Sequence, residues 1–210
     1  MTQGDKAVFQ STETTPRPSA ADPAVLGLTG LAVAALVLAS GDLGLASAAA
    51  KSLMIPWTLM MGATAQLIAG LVDFKRNNLF GATAFTTYSL LLYSVSLTLF
   101  ITIYTGAKFD ITHYAYGLIG FLVFSLFLTA GSAMTNETLF AILVFIDLAL
   151  FTLVLNIMAK TPKEIVGAFL ILAAASSFYG AAGILINTMS GRTVVPPGKA
   201  LWQPTGAAHR

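Results

Sequence analysis

The sequence has no cysteine, only two histidines and few charged residues, which make up 10% of its 210 residues. Without cysteine, a disulfide framework, a thiolate nucleophile and a cysteine-bound zinc or iron–sulfur centre are excluded. The histidines, His113 and His209, are far apart, and carboxylates are scarce, so we expect no metal and no other cofactor. A soluble domain carries roughly one-quarter charged residues. The shortage of charge therefore argues against a water-soluble enzyme.

Charges of the two signs are also nearly balanced, with 11 Lys and Arg against 9 Asp and Glu for a net charge of +2. A nucleic-acid-binding domain needs a clustered basic face, and the sequence has no such cluster. Apolar residues make up 56% of the chain, and its mean hydropathy is +0.80. We therefore expect a lipid bilayer, and no nucleic acid, as the chain's surroundings.

The few charged residues divide the chain into six long apolar stretches. Each is close to the ~20 residues that a helix needs to cross a hydrocarbon core of ~30 Å. The sequence therefore predicts an all-α integral membrane protein with six transmembrane helices. Asp147 is the one charged residue well inside a stretch. The stretches are Pro23–Gly41, Ser52–Val72, Gly81–Ala107, Tyr114–Asn136, Thr138–Lys160 and Ile165–Gly191.

Two ends of different composition flank the six spans of residues 22–191. Residues 1–21 are rich in Ser, Thr and Pro and lack the basic and apolar regions of a signal peptide, which predicts a disordered tail. Residues 192–210 contain three prolines and predict an irregular tail. Six spans put both ends on one side, and the Lys and Arg count there, seven against four, favours the cytoplasm. We expect a multi-pass protein of the cell membrane.

A repeat relates the two halves of the chain. Gly27-Leu-Thr-Gly30 opens the first span, and Gly117-Leu-Ile-Gly120 opens the fourth, 90 residues later. The same offset pairs Gln66 with Asn156, and an offset one residue longer pairs Thr86-Thr87-Tyr88 with Ser177-Phe178-Tyr179. Because three spans are an odd number, the second half would be inverted, as in many transporters and channels. The alternative is chance similarity among Gly, Leu and Ala.

Polar residues inside the spans predict a path for a solute. Gly62, Gln66 and Gly70 share a face of the second span, where they serve either the path or helix packing. The third span holds more hydroxyls than packing needs, which favours a lined cavity. Such groups can donate hydrogen bonds to an anion, so the predicted solute is small, polar and neutral or anionic. The candidate residues for this path are Gln66, Thr83, Thr86, Thr87, Asn156, Ser176, Ser177 and Tyr179.

Asp147 allows two interpretations. A carboxylate within a membrane is by default a candidate for a proton relay or for cation binding. The other interpretation is a neutral, protonated side chain at a helix contact, with Asn156 as a candidate partner. His113, beside Tyr114 and Tyr116 at the end of a span, is read as an interfacial residue.

Four separated motifs resemble those of the acetate uptake transporter family, which includes the succinate-acetate permeases and the fungal ammonia/acetate export proteins. The segment from Asp22 to Leu28 is similar to the family signature Asn-Pro-Ala-Pro-Leu-Gly-Leu, with Asp22 and Val25 as departures. The resemblance continues through 62–74, 78–88 and 191–196. The signature residues are Asp22, Pro23, Ala24, Leu26, Gly27 and Leu28.

The resemblance implies a homohexamer with a pore in each six-helix protomer that moves acetate and related monocarboxylates, and in some members succinate, coupled to protons. It also implies a constriction made in the family by Phe, Tyr and Leu. These positions fall on Leu31, Tyr88 and Ile146 here. If the register of the fifth span is shifted by one residue, Phe145 takes the place of Ile146. Asp147 then lies beside the gate and becomes a candidate for proton coupling.

A charged carboxylate must lose water in such a neck, which is costly at low dielectric. We therefore expect acidic pH to favour uptake. Two alternative functions, from other classes of membrane protein, are also compatible with the sequence. One is a hexameric channel for amides, urea or ammonia, which would ignore a proton gradient, and the other is a membrane-embedded sensor or scaffold without flux.

Overall fold

The computed structural model describes residues 20–47, 50–106 and 110–203, and within these ranges it consists of helices and irregular segments. Six of the helices are long and apolar enough to cross a membrane. Every predicted span has its helix, with ends that differ by a few residues. The helices are α1 (Ala24–Asp42), α2 (Ala50–Lys75), α3 (Leu79–Tyr104), α4 (Thr112–Ser132), α5 (Glu137–Ala159) and α6 (Glu164–Ser190).

Most of the predicted N-terminal tail, residues 1–19, and residues 204–210 of the C-terminal tail lie outside the described residues. Residues 191–203 are irregular and fold back along α6. The Asn187 side chain donates to the Val195 carbonyl oxygen (2.7 Å) and accepts from the Val195 amide (2.9 Å). The Tyr179 hydroxyl donates to the Pro196 carbonyl oxygen (2.8 Å).

Asparagine side chains cap the N-termini of two helices. The Asn78 side chain accepts the Gly81 amide at the start of α3 (3.2 Å), and Asn136 accepts the Leu139 amide at the start of α5 (2.9 Å). Each satisfies an amide that has no partner inside its helix. Before α4, the hydroxyl and the backbone amide of Thr112 both donate to the Asp110 carboxylate. These bonds, the hydroxyl's more than the amide's, lower the pKa of Asp110, so its exposed side chain stays ionised.

The helices pack in a ring. α1 packs extensively against α6 and also against α2, α2 packs against α3, α4 against α5, and α5 against α6. By contrast, α3 and α4 share little contact. Within each half of the chain, consecutive helices are therefore neighbours, as an inverted repeat requires, but the two halves meet differently at their two junctions. The inverted repeat stays a prediction.

A π-helical segment, Trp57–Thr64, interrupts the α-helical geometry of α2. Its hydroxyls bind both its own backbone and α3: Thr58 Oγ1 lies 2.8 Å from Ser96 Oγ, and Thr64 Oγ1 lies 2.9 Å from the Tyr93 hydroxyl. Hydrogen bonds of this kind satisfy polar groups where no water is available. They attach the irregular part of α2 to α3.

The glycines of the two repeated motifs have different surroundings. A Cβ atom on Gly30 would lie 2.4 Å from the Met61 carbonyl oxygen, and one on Gly27 would lie 2.4 Å from the Phe85 ring. Glycine therefore permits the close approach of α1 to α2 and α3. In contrast, Gly117 and Gly120 have open space beyond their Cα atoms, on an exposed face of α4.

The different surroundings of the glycines predict opposite effects of the same substitution. Gly30→Ala should destabilise the protein by about 1–3 kcal/mol, because the methyl group meets backbone that cannot move aside. Gly131→Ala, on α4, should leave stability unchanged or raise it, since its Cβ atom would make an ordinary contact with the Phe80 ring at 3.6 Å and alanine is the better helix former. Thermal unfolding of the detergent-solubilised proteins measures both. Equal melting temperatures for the two variants would contradict the close packing of α1 on α2.

Candidate functional site

Two cavities lie inside the helical ring. The wide cavity has a volume of about 310 Å³ and the narrow cavity one of about 90 Å³. Leu31 and Tyr88 line both of them, so these side chains form the partition between the two. We call this partition the neck. It consists of two of the three residues that the sequence predicts for a constriction.

The two cavities face opposite ends of the helices. The narrow cavity is lined by Ala24 at the start of α1 and by Asp73 at the end of α2. The wide cavity is lined by Asp42 at the end of α1 and by Met54 near the start of α2. Since α1 and α2 span the membrane in opposite directions, the cavities lie on opposite sides of the neck along the membrane normal.

The wide cavity is mostly apolar. Besides Tyr88 in the neck, the polar residues that line it within the described part of the chain are Asp42, Thr98 and Tyr114, which lie toward the end of the bundle. Ile146 lines it next to the neck, whereas neither cavity is lined by Phe145. Its other lining residues are Leu31, Ala35, Leu38, Met54, Leu91, Leu92, Val95, Leu99, Ile111, Leu118, Ala149, Leu150, Leu153, Ile157, Val166 and Leu170.

The narrow cavity contains a buried amide. Gln66 is completely buried, and within the described residues neither its amide nitrogen nor its amide oxygen has a hydrogen-bond partner. A buried polar group without a partner costs roughly 1–3 kcal/mol. The amide is therefore available to water or to a solute in this cavity, where it can offer both a donor and an acceptor.

Three charged residues lie at the outer end of the narrow cavity. Arg76 Nη1 is 3.1 Å from Asp22 Oδ1 and 3.6 Å from Asp73 Oδ1. Asp22 also accepts the Ala24 amide at the start of α1 (3.0 Å). The signature residue Asp22, which departs from the family's Asn, is thus paired with a guanidinium at this entrance.

The neck is held by a chain of hydrogen bonds behind it. The Tyr88 hydroxyl lies 2.5 Å from Ser125 Oγ on α4, and its ring contacts Phe121 edge-on, with centroids 5.1 Å apart. Ser125 Oγ in turn donates to Asp147 Oδ1 on α5, and Thr129 Oγ1 donates to Asp147 Oδ2 (2.6 Å). Asp147 is 7% exposed and lines neither cavity.

This geometry changes the expected surroundings of Asp147. Its partners are the hydroxyls of Ser125 and Thr129, not Asn156, whose amide donates instead to the Thr161 carbonyl oxygen beyond the end of α5 (2.5 Å). Asn156 is more than two helical turns from Asp147, which is too far for a direct bond. Asn156 therefore bonds to the backbone just beyond the end of its own helix and lines neither cavity.

The hydroxyl residues of α3 divide into two groups: Tyr88 and Thr98 line the wide cavity, whereas the threonines near the start of the helix do not. Thr86 donates to the Ala82 carbonyl oxygen, and Thr87 donates to the Thr83 carbonyl oxygen (2.7 Å). Thr83, Thr86 and Thr87 line neither cavity, and Thr87 faces an outer groove between α3 and α4. Hydroxyls that bond back to their own helix need no aqueous surface. The part of these three threonines in a path therefore stays a prediction.

The polar residues of α6 also lie elsewhere. Ser176 and Tyr179 face a groove beneath the returning segment at Pro196, on the outside of the ring. Ser177 is completely buried and lines neither cavity. Of the eight residues proposed for the path, the structure places Gln66 in a cavity.

Sequence reasoning missed the residues that support the neck. Ser125 and Thr129 are four apart in α4 and so lie on one helical face, which is the signal that could have paired them with the intramembrane Asp147. It also missed Asp42, an acidic residue at the end of the first span that lines the wide cavity.

Known proteins resemble this chain over most of its length. It is 29% identical over 185 residues to the succinate-acetate/proton symporter SatP of Escherichia coli strain K12, which covers 86% of this chain and 96% of that protein. It is 26% identical over 208 residues to acetate permease A of Emericella nidulans, which covers 90% of this chain and 70% of that protein.

A solved structure of the bacterial acetate channel SatP has the same fold, with a TM-score of 0.79 and 26% identity over 85% of this chain and 99% of that one. A family model, described as the GPR1/FUN34/yaaH family, matches residues 6–199. The resemblance seen in the sequence motifs is thereby confirmed. This chain belongs to the GPR1/FUN34/yaaH family.

Proposed function

We propose that this protein is a membrane transporter or channel for acetate and related small monocarboxylates, with succinate as a further substrate to test. The relatives named as acetate and succinate transporters support the substrate class. The observation that carries the proposal is the neck, where Leu31 and Tyr88 separate two cavities that face opposite ends of the bundle. A partition between two cavities suits the passage of a small solute.

The cavities also suggest how a carboxyl group is accommodated. In the narrow cavity, the Gln66 amide nitrogen can donate to one carboxyl oxygen, which would satisfy a buried group that otherwise lacks a partner. Arg76 at the entrance is paired with two carboxylates, Asp22 and Asp73, so this cluster has no excess positive charge to attract anions. The solute would thus reach the neck with its carboxyl group oriented by Gln66.

Passage through the neck favours linkage to protons. The wide cavity offers leucine, isoleucine and valine side chains beside the neck, and an isolated carboxylate is costly to bury there. A carboxylic acid that carries its proton avoids most of this cost. We therefore propose proton-linked transport, with Asp147 behind the neck as the coupling residue, in a cell-membrane protein whose ends are both cytoplasmic.

The assembly is proposed to be a homohexamer. An outer groove between α3 and α4 is lined by Leu90, Tyr114, Gly117 and Gly120 among others, and the two glycines leave open space there. Small residues on a lipid-facing helix permit the close approach of a second helix. The groove therefore fits a helix of a second copy of this chain.

The primary experiment measures uptake of radiolabelled acetate into proteoliposomes under an inward proton gradient. We expect uptake above that of protein-free liposomes, stimulated by the gradient. If urea or ammonia moved while acetate did not, the protein would be an amide or ammonia channel. The absence of any flux would favour a sensor or scaffold.

Enlarging the neck should change selectivity. Tyr88→Ala removes the side chain that separates the two cavities, so we expect the ratio of butyrate to acetate uptake to rise several-fold. Ile146→Ala, beside the neck, should act in the same direction, whereas Phe145→Ala should not. A larger effect of Phe145→Ala than of Ile146→Ala would place the neck in the other register.

Gln66 should contribute to solute binding. Gln66→Leu has a similar shape but cannot donate a hydrogen bond, so we expect the KM for acetate to rise roughly tenfold, as for one lost hydrogen bond. Thr152→Val is the matched control, because the Thr152 hydroxyl bonds to the Leu148 carbonyl oxygen of its own helix (2.7 Å). An unchanged KM in Gln66→Leu would remove the amide from the path.

The groove on α4 should form part of the subunit interface. Gly120→Leu fills open space and should spare the protomer fold while shifting the assembly to smaller species. Val123→Leu, also exposed on α4, is the control. Light scattering coupled to size-exclusion chromatography in detergent measures the mass. A hexamer that persists in Gly120→Leu would exclude this groove as the interface.

A further inference from the structure

The direction of the hydrogen bonds between Tyr88, Ser125 and Asp147 depends on whether Asp147 carries a proton. An ionised carboxylate only accepts, so Ser125 must donate its single hydroxyl proton to Asp147 Oδ1. Ser125 Oγ can then only accept from Tyr88, whose hydroxyl lies 2.5 Å away. The proton of Tyr88 is thereby turned away from the neck, and its oxygen offers the neck only lone pairs.

A protonated Asp147 reverses this order. Its carboxyl proton can be donated to Ser125 Oγ, and Ser125 then donates to the Tyr88 oxygen. The Tyr88 proton is no longer needed behind the neck and becomes free to turn into it. The neck then presents a hydrogen-bond donor, which is the group that a carboxylate anion requires.

Few other groups can influence this chain of hydrogen bonds. α4 faces Asp147 with Ser125 and Thr129, which are not ionisable in this range, and its histidine, His113, lies at the start of that helix. On α3, the titratable group that reaches it is Tyr88. On α6, Tyr179 donates outward to the Pro196 carbonyl oxygen, and Glu164 lies in the first turn of the helix. On α1, the acid is Asp42, at the far end of the wide cavity.

We propose that Ser125 is a positioning residue that links protonation of Asp147 to the donor direction of the Tyr88 hydroxyl, and so relays a proton between Asp147 and a carboxylic acid in the neck. This inference rests on the proposed function and extends it to the route of the proton. It gives Ser125 a role in transport and makes the donor direction of the Tyr88 hydroxyl part of the mechanism.

The relay conserves protons at each step. A carboxylic acid in the neck gives its proton to the Tyr88 oxygen as Tyr88 passes its own proton to Ser125 and Ser125 passes its own to Asp147 Oδ1. The acid becomes a carboxylate, Asp147 becomes neutral, and Tyr88 now donates to the anion. The reverse sequence returns the proton on the other side of the neck. One proton therefore crosses with each carboxylate, without net charge.

The relay predicts which substitution uncouples acetate from protons. Ser125→Ala interrupts the chain while keeping Tyr88 and Asp147, so we expect stimulation by a proton gradient to fall by roughly tenfold. Ser125→Thr retains a hydroxyl and should restore it. Thr129→Val removes a hydrogen bond to the same carboxylate outside the relay, and it should retain gradient stimulation. The measured quantity is the ratio of uptake with and without the gradient, which the amount of folded protein does not change.

A second variant tests the direction of the hydrogen bonds independently. Asp147→Asn can donate its amide to Ser125 and accept from Thr129, which fixes Tyr88 as a donor to the neck but leaves no acceptor for a proton. We expect acetate uptake by this variant to ignore the proton gradient and to respond to a potassium diffusion potential. Wild-type uptake should show the opposite pattern.

The outcomes separate the relay from the transport proposal. Absence of acetate uptake in the wild type would overturn the proposed function. Gradient-stimulated uptake that persists in both Ser125→Ala and Asp147→Asn would overturn the relay and leave acetate transport standing. Loss of stimulation in Thr129→Val to the same degree as in Ser125→Ala would also overturn it, because a general disturbance of Asp147 would then suffice.

Discussion

The hydrogen bond between Tyr88 and Ser125 joins the two halves of the bundle at the point where they otherwise touch least. α3 and α4 share little contact, so this bond and the contact of Tyr88 with Phe121 fix where the Tyr88 side chain lies. The neck follows from that position, because Tyr88 and Leu31 together separate the wide and narrow cavities. The bond to Ser125 in turn depends on Asp147, which determines the direction in which the hydroxyl donates.

The low dielectric of the bilayer explains the rest of the site. Many hydroxyls within the spans bond to carbonyl oxygens or to one another, since hydrocarbon offers no other partner, whereas the buried hydroxyls of Ser89 and Ser177 have no partner within the described residues. In the narrow cavity, the fully buried amide of Gln66 also lacks a partner within the described residues. The wide cavity is mostly apolar and so disfavours a bare charge. Such a path favours a small carboxylic acid that stays protonated or transfers its proton temporarily to Asp147.

The sequence was sufficient for the six spans, because stretches near 20 apolar residues have no other stable arrangement in lipid. It also predicted Leu31 and Tyr88 at the neck, through the resemblance to a family. Seven other residues predicted for a path line neither cavity, so their part in a path stays a prediction: Thr83, Thr86, Thr87, Asn156, Ser176, Ser177 and Tyr179. Helices that are apolar on every side give no periodic signal for the face that lines a cavity. In addition, the sequence does not show whether a threonine hydroxyl bonds to its own helix or faces a cavity. The partners of Asp147 required the relative positions of α4 and α5.

The central claim is that a neck at Leu31 and Tyr88 divides a path whose two cavities open to opposite sides of the membrane. Because the chain contains no cysteine, single cysteines can test it directly with a membrane-impermeant thiol reagent applied to one side of sealed vesicles. Ala24→Cys reports on the narrow cavity and Thr98→Cys on the wide one. We predict that each is labelled from one side only and that the two sides are opposite. Labelling of both from the same side would contradict the account.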